Sequence, residues 1–209
     1  MLKVIEIFYS VQGETSYVGR PAVFIRLAGC NLQCSWCDSA YARSGGESLD
    51  TAEILSKVKE FNCPLVVVTG GEPLLQSEKT LALLETMVNE GYEVVLETNG
   101  SLSIAGIPPG VKVIMDIKTP SSGEEESFNL DNINLLTKES EIKFVIADRN
   151  DFNWSLEIIK KHFKDKQIKE VLFSPAEGKA AFKEVARWVK NCYPSGRVQA
   201  NIHKVYNIK

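Results

Sequence analysis

The chain has 209 residues, of which 44% are hydrophobic, 24% charged and 9% aromatic, the make-up of one globular domain over 1–209. Such a composition excludes disordered, collagen-like and repeat classes, and a formal net charge of −3 excludes the broad basic surface that drives nucleic-acid binding, so no nucleic-acid partner is expected. No apolar stretch approaches the ~20 residues that span a bilayer, and Met1-Leu2-Lys3-Val4-Ile5-Glu6 sets an acid where a signal peptide needs its apolar run; a cytoplasmic protein with no membrane contact is expected.

In chain order, apolar β-branched runs predict strands at 4–8 and 22–27, then an amphipathic helix at 48–61 and a strand at 65–69. A helix at 77–90 follows, then strands at 93–97, 112–117 and 142–146, a helix at 151–163, a short strand at 171–173, a helix at 179–192 and a last strand at 197–202. Most of these strands read as apolar on both faces, as central parallel strands do. The class is α/β. About six core parallel strands are too few for a closed eightfold barrel, so a partial, incomplete TIM-like barrel is expected. Ser121-Ser122-Gly123-Glu124-Glu125-Glu126 reads as a solvated connection. Trp154 and Trp188 are expected in the core, and His162 on a solvated helix face with no role.

Five cysteines lie at 30, 34, 37, 63 and 192, three of them within eight residues. An odd, clustered set in a reducing compartment points to metal or redox chemistry rather than to disulfides. Cys30, Cys34 and Cys37 have the spacing C-x3-C-x2-C, and no fourth ligand is near to close a structural zinc site. Cys63-Pro64 opens the strand at 65–69 and would stand roughly 20 Å from the loop at that strand's far end, at ~3.3 Å per residue, so it is not expected as a ligand. Loops at the carboxyl ends of parallel strands build sites. Gly70-Gly71-Glu72-Pro73, Thr98-Asn99-Gly100 and Lys118-Thr119-Pro120 all fall there, beside the cysteine loop.

The three cysteines, with Trp36 before the last of them, followed by Gly70-Gly71-Glu72-Pro73, resemble the signature of the radical SAM superfamily. The resemblance implies a radical SAM core and a 4Fe–4S cluster held by three thiolates, its open iron taking the amino and carboxylate groups of S-adenosylmethionine (SAM). Reductive cleavage of SAM would then yield a 5′-deoxyadenosyl radical. The cofactor-binding residues implied are Trp36, Gly70, Gly71, Glu72, Glu97, Asn99, Asp116, Ile117, Lys118, Ser174, Pro175 and Ala176. Glu97 and Asp116 either hydrogen-bond SAM or cap neighbouring helices.

A closer resemblance is to the 7-carboxy-7-deazaguanine synthase family. It is carried by Tyr9-Ser10-Val11-Gln12-Gly13-Glu14, Gly19-Arg20-Pro21-Ala22-Val23-Phe24-Ile25-Arg26-Leu27, Trp36-Cys37-Asp38-Ser39-Ala40-Tyr41-Ala42, Glu97-Thr98-Asn99-Gly100, Lys118-Thr119-Pro120 and Gln199-Ala200-Asn201-Ile202-His203-Lys204. This implies ring contraction of 6-carboxy-5,6,7,8-tetrahydropterin to 7-carboxy-7-deazaguanine with loss of ammonia, in queuosine-type 7-deazapurine biosynthesis. Gln12, Gly13 and Glu14 would read the pterin edge, Arg26 the substrate carboxylate, and Thr69 would line the substrate. Arg26 otherwise serves a structural ion pair. Mg2+ would be bound at Ser39, where the family usually has threonine; Thr15 stands where it usually has glycine. A homodimer and an electron donor such as flavodoxin are implied, and His203 either approaches the site or is structural. Two other functions stay open: a radical SAM activase that installs a glycyl radical on a partner enzyme, and a non-catalytic iron–sulfur or zinc protein.

Overall fold

The computed structural model describes residues 1–208 and wraps them around one nine-stranded sheet. Its strands are β1 (Leu2–Val11), β2 (Pro21–Leu27), β3 (Glu47–Leu49), β4 (Leu65–Gly70), β5 (Glu93–Thr98), β6 (Val111–Ile117), β7 (Glu141–Ile146), β8 (Glu170–Pro175) and β9 (Arg197–Val198). They lie in the order β3-β1-β2-β4-β5-β6-β7-β8-β9. From β2 to β9 every pairing is parallel, whereas β1 is antiparallel to both β2 and β3. The expected six parallel core strands are β2 and β4 to β8. With β3 and β9 at opposite ends of the strand order, the barrel stays open.

Helices α1 (Thr51–Lys59), α2 (Ser77–Asn89), α3 (Asn132–Leu135), α4 (Arg149–His162), α5 (Phe182–Cys192) and α6 (Ile202–Val205) fill the connections. The helix expected from residue 48 starts later, because Leu2 pairs with Leu49 and draws 47–49 into the sheet. Asp50 then caps α1, accepting from the Glu53 N–H while the Glu53 carboxylate accepts from the Asp50 N–H. The last strand is shorter than expected. After Gln199 N–H bonds the Phe173 carbonyl, the chain turns, and Ile202 begins α6 instead of ending a strand.

Alternation along the strands decides where the site is. On β7, Ile142, Phe144 and Ile146 are fully buried, whereas Glu141, Lys143 and Val145 point to the opposite face. On β6 the same split sets Val113, Met115 and Ile117 against Lys112, Ile114 and Asp116. β6 and β7 are therefore apolar on one face only, a correction to the two-faced reading for these two, whereas β4, with Leu65, Val66, Val67 and Val68 all fully buried, is apolar on both faces as expected. The apolar face packs on the helices. Phe144 stacks on Phe173 with ring centroids 5.8 Å apart, and Phe152 lies 5.3 Å from Phe173 and 5.9 Å from Trp188. Trp154 and Trp188 pack against the core as expected.

At the amino end of the strands, Lys112 on β6 and Glu141 on β7 form an ion pair of 2.5 Å with side chains 7% and 0% exposed. The β1–β2 connection crosses this end. Ser16 donates its N–H to Glu141 and accepts from Lys112, and the Thr15 N–H donates to Gln199 at 2.6 Å. Thr15 has a φ of 65°, the left-handed region that suits glycine, and its hydroxyl oxygen accepts from the Tyr17 N–H within the same turn.

Candidate active site

A cavity of about 690 Å³ occupies the polar face of the sheet, within the size range of small-molecule sites. One wall comes from alternate strand residues: Phe24 and Arg26 on β2, Thr69 on β4, Glu97 on β5, Asp116 on β6 and Lys143 on β7. Gln12, Gly13 and Glu14, just after β1, join it from the connection below.

The polar residues form one connected system. Gln12 donates from Nε2 to Glu97 Oε1 at 3.0 Å while its Oε1 accepts from the Glu14 N–H at 3.1 Å, which settles the orientation of its amide. Thr69 donates to the other Glu97 oxygen at 3.2 Å. Glu14 Oε2 pairs with Lys143 at 2.6 Å, Lys143 with Asp116 at 3.0 Å, and Asp116 with Lys118 at 3.2 Å. Burial, reinforced by the Glu14 charge, raises the Glu97 carboxyl. Burial would lower the Lys143 ammonium, but Asp116, Glu14 and Glu97 around it hold it well above its ordinary value.

Arg26 gives its Nε to Glu6 at 2.9 Å, and the Tyr41 hydroxyl donates to the same oxygen at 2.8 Å. The guanidinium nevertheless lines the cavity. Glu97 and Asp116 both line it too and are engaged by side chains there, not by helix ends.

Cys30, Cys34, Cys37, Trp36 and Ser39 line the mouth, with Gly70, Gly71, Asn99, Lys118, Pro175 and Ala176. The cysteine loop leans on the end of β4: Glu72 N–H bonds the Gly29 carbonyl at 2.8 Å, and a Cβ on Gly71 would overlap that carbonyl and stand 2.8 Å from Cys30 Cβ. Its other side is braced by the segment expected to be a mere solvated connection. Gln33 N–H donates to Glu124 at 2.6 Å, and Ser35 Oγ donates to the carbonyls of Ser121 and Ser122 at 2.9 Å each. Burial pushes the thiols of Cys30 and Cys34 up, so both favour the protonated form until a metal supplies the compensating charge.

These donors fit a multinuclear iron–sulfur centre. Three thiols lie along one rim, yet among the described residues no group of three or more His, Cys, Asp or Glu closes on a single metal ion. A cluster bonded through three separate irons spreads its ligands. Cys63 is buried near the Pro21 carbonyl, away from the cavity, and Cys192 is exposed on α5.

Three residues expected around the cofactor do not line the cavity. Glu72 is fully buried, and its oxygens accept from Leu74 N–H at 2.9 Å, Thr98 Oγ1 at 2.9 Å and Asn99 N–H at 2.7 Å. It braces the loops after β4 and β5 from behind the cavity lining, out of reach of an incoming ammonium. Ile117 faces the apolar side, out of phase with Asp116 and Lys118, and Ser174 is buried outside the cavity lining.

Lys143, Asp38, Arg43 and Glu177 line the cavity without having been singled out from the sequence. For Lys143 the signal existed: a lysine inside Glu141-Ile142-Lys143-Phe144-Val145-Ile146 is as anomalous as Arg26 in its own strand. The carboxyl-terminal segment also reaches the cavity. Ile202 N–H bonds the Gly13 carbonyl at 3.1 Å, and His203 packs on Gly13 so closely that a Cβ there would overlap its ring. Burial holds the His203 imidazole below its ordinary value. Lys204 pairs with Asp38 at 2.5 Å, and Ser39 donates to the other Asp38 oxygen at 2.9 Å. A hydroxyl beside a carboxylate is a donor set that suits Mg2+.

Residues 24–189 match the family model of the radical SAM superfamily. The chain is 43% identical over 182 residues to the 7-carboxy-7-deazaguanine synthase of Koribacter versatilis, an alignment covering 86% of this chain and 80% of that one. It is 39% identical over 206 residues to the enzyme of the same name from Chlorobaculum tepidum, covering 97% and 93%. Its fold is similar to the crystal structure of QueE from Escherichia coli, with a TM-score of 0.73 at 21% identity over 95% of this chain and 93% of that one.

Proposed function

The chain belongs to the radical SAM superfamily and, within it, to the 7-carboxy-7-deazaguanine synthases, and on that footing we propose that it contracts 6-carboxy-5,6,7,8-tetrahydropterin to 7-carboxy-7-deazaguanine and ammonia. The observation that carries this reading is a juxtaposition. A rim of three cysteines and a wall of paired hydrogen-bonding groups, Gln12, Glu14 and Glu97, share one cavity. A 4Fe–4S cluster and SAM, when bound, would supply the radical chemistry that the rearrangement needs.

Everything else is the work of this chain's side chains. Cys30, Cys34 and Cys37 would hold the cluster; Gly70 and Gly71, with Trp36, Asn99, Asp116, Lys118, Pro175 and Ala176, would line SAM. Glu14, through the oxygen outside its ion pair with Lys143, and Glu97, whose two oxygens each accept one side-chain hydrogen bond and keep a further lone pair, present acceptors to the N–H edge of a pterin. Thr69 fixes Glu97 from the other side. Arg26, oriented through Nε by Glu6, turns the rest of its fork to the substrate carboxylate. Ser39 and Asp38 would hold Mg2+ near that carboxylate.

We read residues 1–209 as one radical SAM domain working in the cytoplasm, as a homodimer supplied with electrons by a flavodoxin-like donor, its product entering queuosine-type 7-deazapurine synthesis. Among the described residues no helix is long and apolar enough to cross a membrane. The activase and zinc-protein alternatives have no support from the named relatives. The test is anaerobic turnover of the reconstituted enzyme with the carboxylated pterin, with and without Mg2+. Ammonia and the deazaguanine are expected in equal amounts. SAM cleavage without either product would refute the assignment.

A further inference from the structure

Lys143 stands at the junction of the two halves of the cavity. It sits at the third position of β7, its side chain 13% exposed, with Glu14 Oε2 at 2.6 Å on one side and Asp116 Oδ2 at 3.0 Å on the other. Glu14 belongs to the β1–β2 connection and Asp116 to β6, whose other carboxylate oxygen takes Lys118 at 3.2 Å. The titratable groups around Lys143 are thus Glu14 and Asp116 in contact and, through space, Glu97, Lys118, Asp38 and His203. The backbone around Glu14 is tied by the Thr15, Ser16 and Gly13 hydrogen bonds, but without an ion pair its side chain would be free to swing between rotamers. A buried ammonium with excellent geometry to two carboxylates removes that freedom.

We propose that Lys143 is a positioning residue: it holds Glu14 in the posture that reads the substrate and, through shared Asp116, couples the substrate wall to the cofactor wall. The inference rests on the assignment of Gln12, Glu14 and Glu97 to the pterin. Lys143 acts through Glu14 and makes no substrate contact of its own.

A double-mutant cycle on the anaerobically reconstituted holoenzyme tests it, with Lys143→Met, Glu14→Gln and the pair of changes together. Lys143→Met is expected to raise KM for the carboxylated pterin about tenfold or more while kcat falls less, and Lys143→Arg to recover most of the loss. The double variant is expected to be no worse than the poorer single variant, because the lysine has nothing left to position. Multiplying effects would overturn the proposal and make Lys143 an independent substrate contact, and a Lys143→Met KM within about twofold of wild type would remove it altogether. If Lys143→Met does not fold, Lys143→Gln, which keeps a polar side chain but removes the charge, takes its place in the cycle with Glu14→Gln, and the same non-multiplication is expected. Wild-type enzyme that cleaves SAM but leaves the pterin intact would refute the functional assignment itself, whereas active wild type with multiplying variants would refute only the positioning role.

Discussion

Arg26 makes the structural ion pair that one reading gave it and also lines the cavity that the proposed substrate role requires. Its Nε is spent on Glu6, which leaves the other guanidinium nitrogens free of that bond at the cavity wall. Arg26→Ala is therefore expected to raise the substrate KM by at least tenfold, measured against SAM cleavage in the absence of substrate, which it should impair less. Cys30→Ala, Cys34→Ala and Cys37→Ala are each expected to abolish cluster assembly, read as iron and sulfide content after anaerobic reconstitution. Cys63→Ser should retain a full complement of iron, since its thiol lies against Pro21, remote from the rim. Glu72 carries a different cost. Its three hydrogen bonds are buried, so Glu72→Ala strands the Asn99 N–H, Leu74 N–H and Thr98 hydroxyl, and a loss of at least ~1–3 kcal/mol in denaturant unfolding is expected.

Among elements, the cysteine loop has no regular structure of its own and borrows its shape from both sides. Gly29 is tied to Ala42 and to Glu72, and Ser35 and Gln33 are tied to the segment after β6. That segment is in turn anchored by α4, where Asp151 accepts from the Ser121 N–H at 2.9 Å. Loss of Glu124 or of the Ser35 hydroxyl should loosen the ligands without unfolding the domain: several-fold faster iron release to a chelator is expected, at little change in melting temperature. The α6 segment is strapped by Lys204 to Asp38. Burial would raise the Asp38 carboxyl, but the Lys204 ammonium outweighs it and holds the group at about 2, below the ordinary aspartate value. A depressed carboxyl contributes stability above its unfolded pKa and loses it as pH falls through the folded one. The melting-temperature difference between wild type and Lys204→Ala should accordingly be full above about pH 5 and vanish toward pH 2.

Across the whole molecule the open sheet needs a closure at the end opposite the site. The Lys112–Glu141 pair and the β1–β2 connection provide it, on the same strands that carry Asp116 and Lys143 higher up. Lys112→Met would leave Glu141 charged and buried, and a loss of about 3–5 kcal/mol is expected from denaturant unfolding. Replacing both residues with apolar ones of similar volume should recover most of it, because desolvation and attraction of a buried pair nearly cancel.

Strand and helix periodicity made most elements legible from the chain alone, to within a few residues at their ends. The cysteine spacing and the Gly70-Gly71 turn were legible for the same reason: they are local patterns, and local patterns depend on neighbours a few positions away. What the chain could not show was pairing over long separations. Leu49 joins a strand because Leu2 is beside it; Ile202 leaves one because the Gly13 carbonyl takes its N–H. Ser121 to Glu126 look solvated until the cysteine loop is laid against them. Lys143 becomes intelligible only with Glu14 and Asp116 in place, 129 and 27 positions away, because burying an ammonium is tolerable only where folding has already delivered its counter-charges.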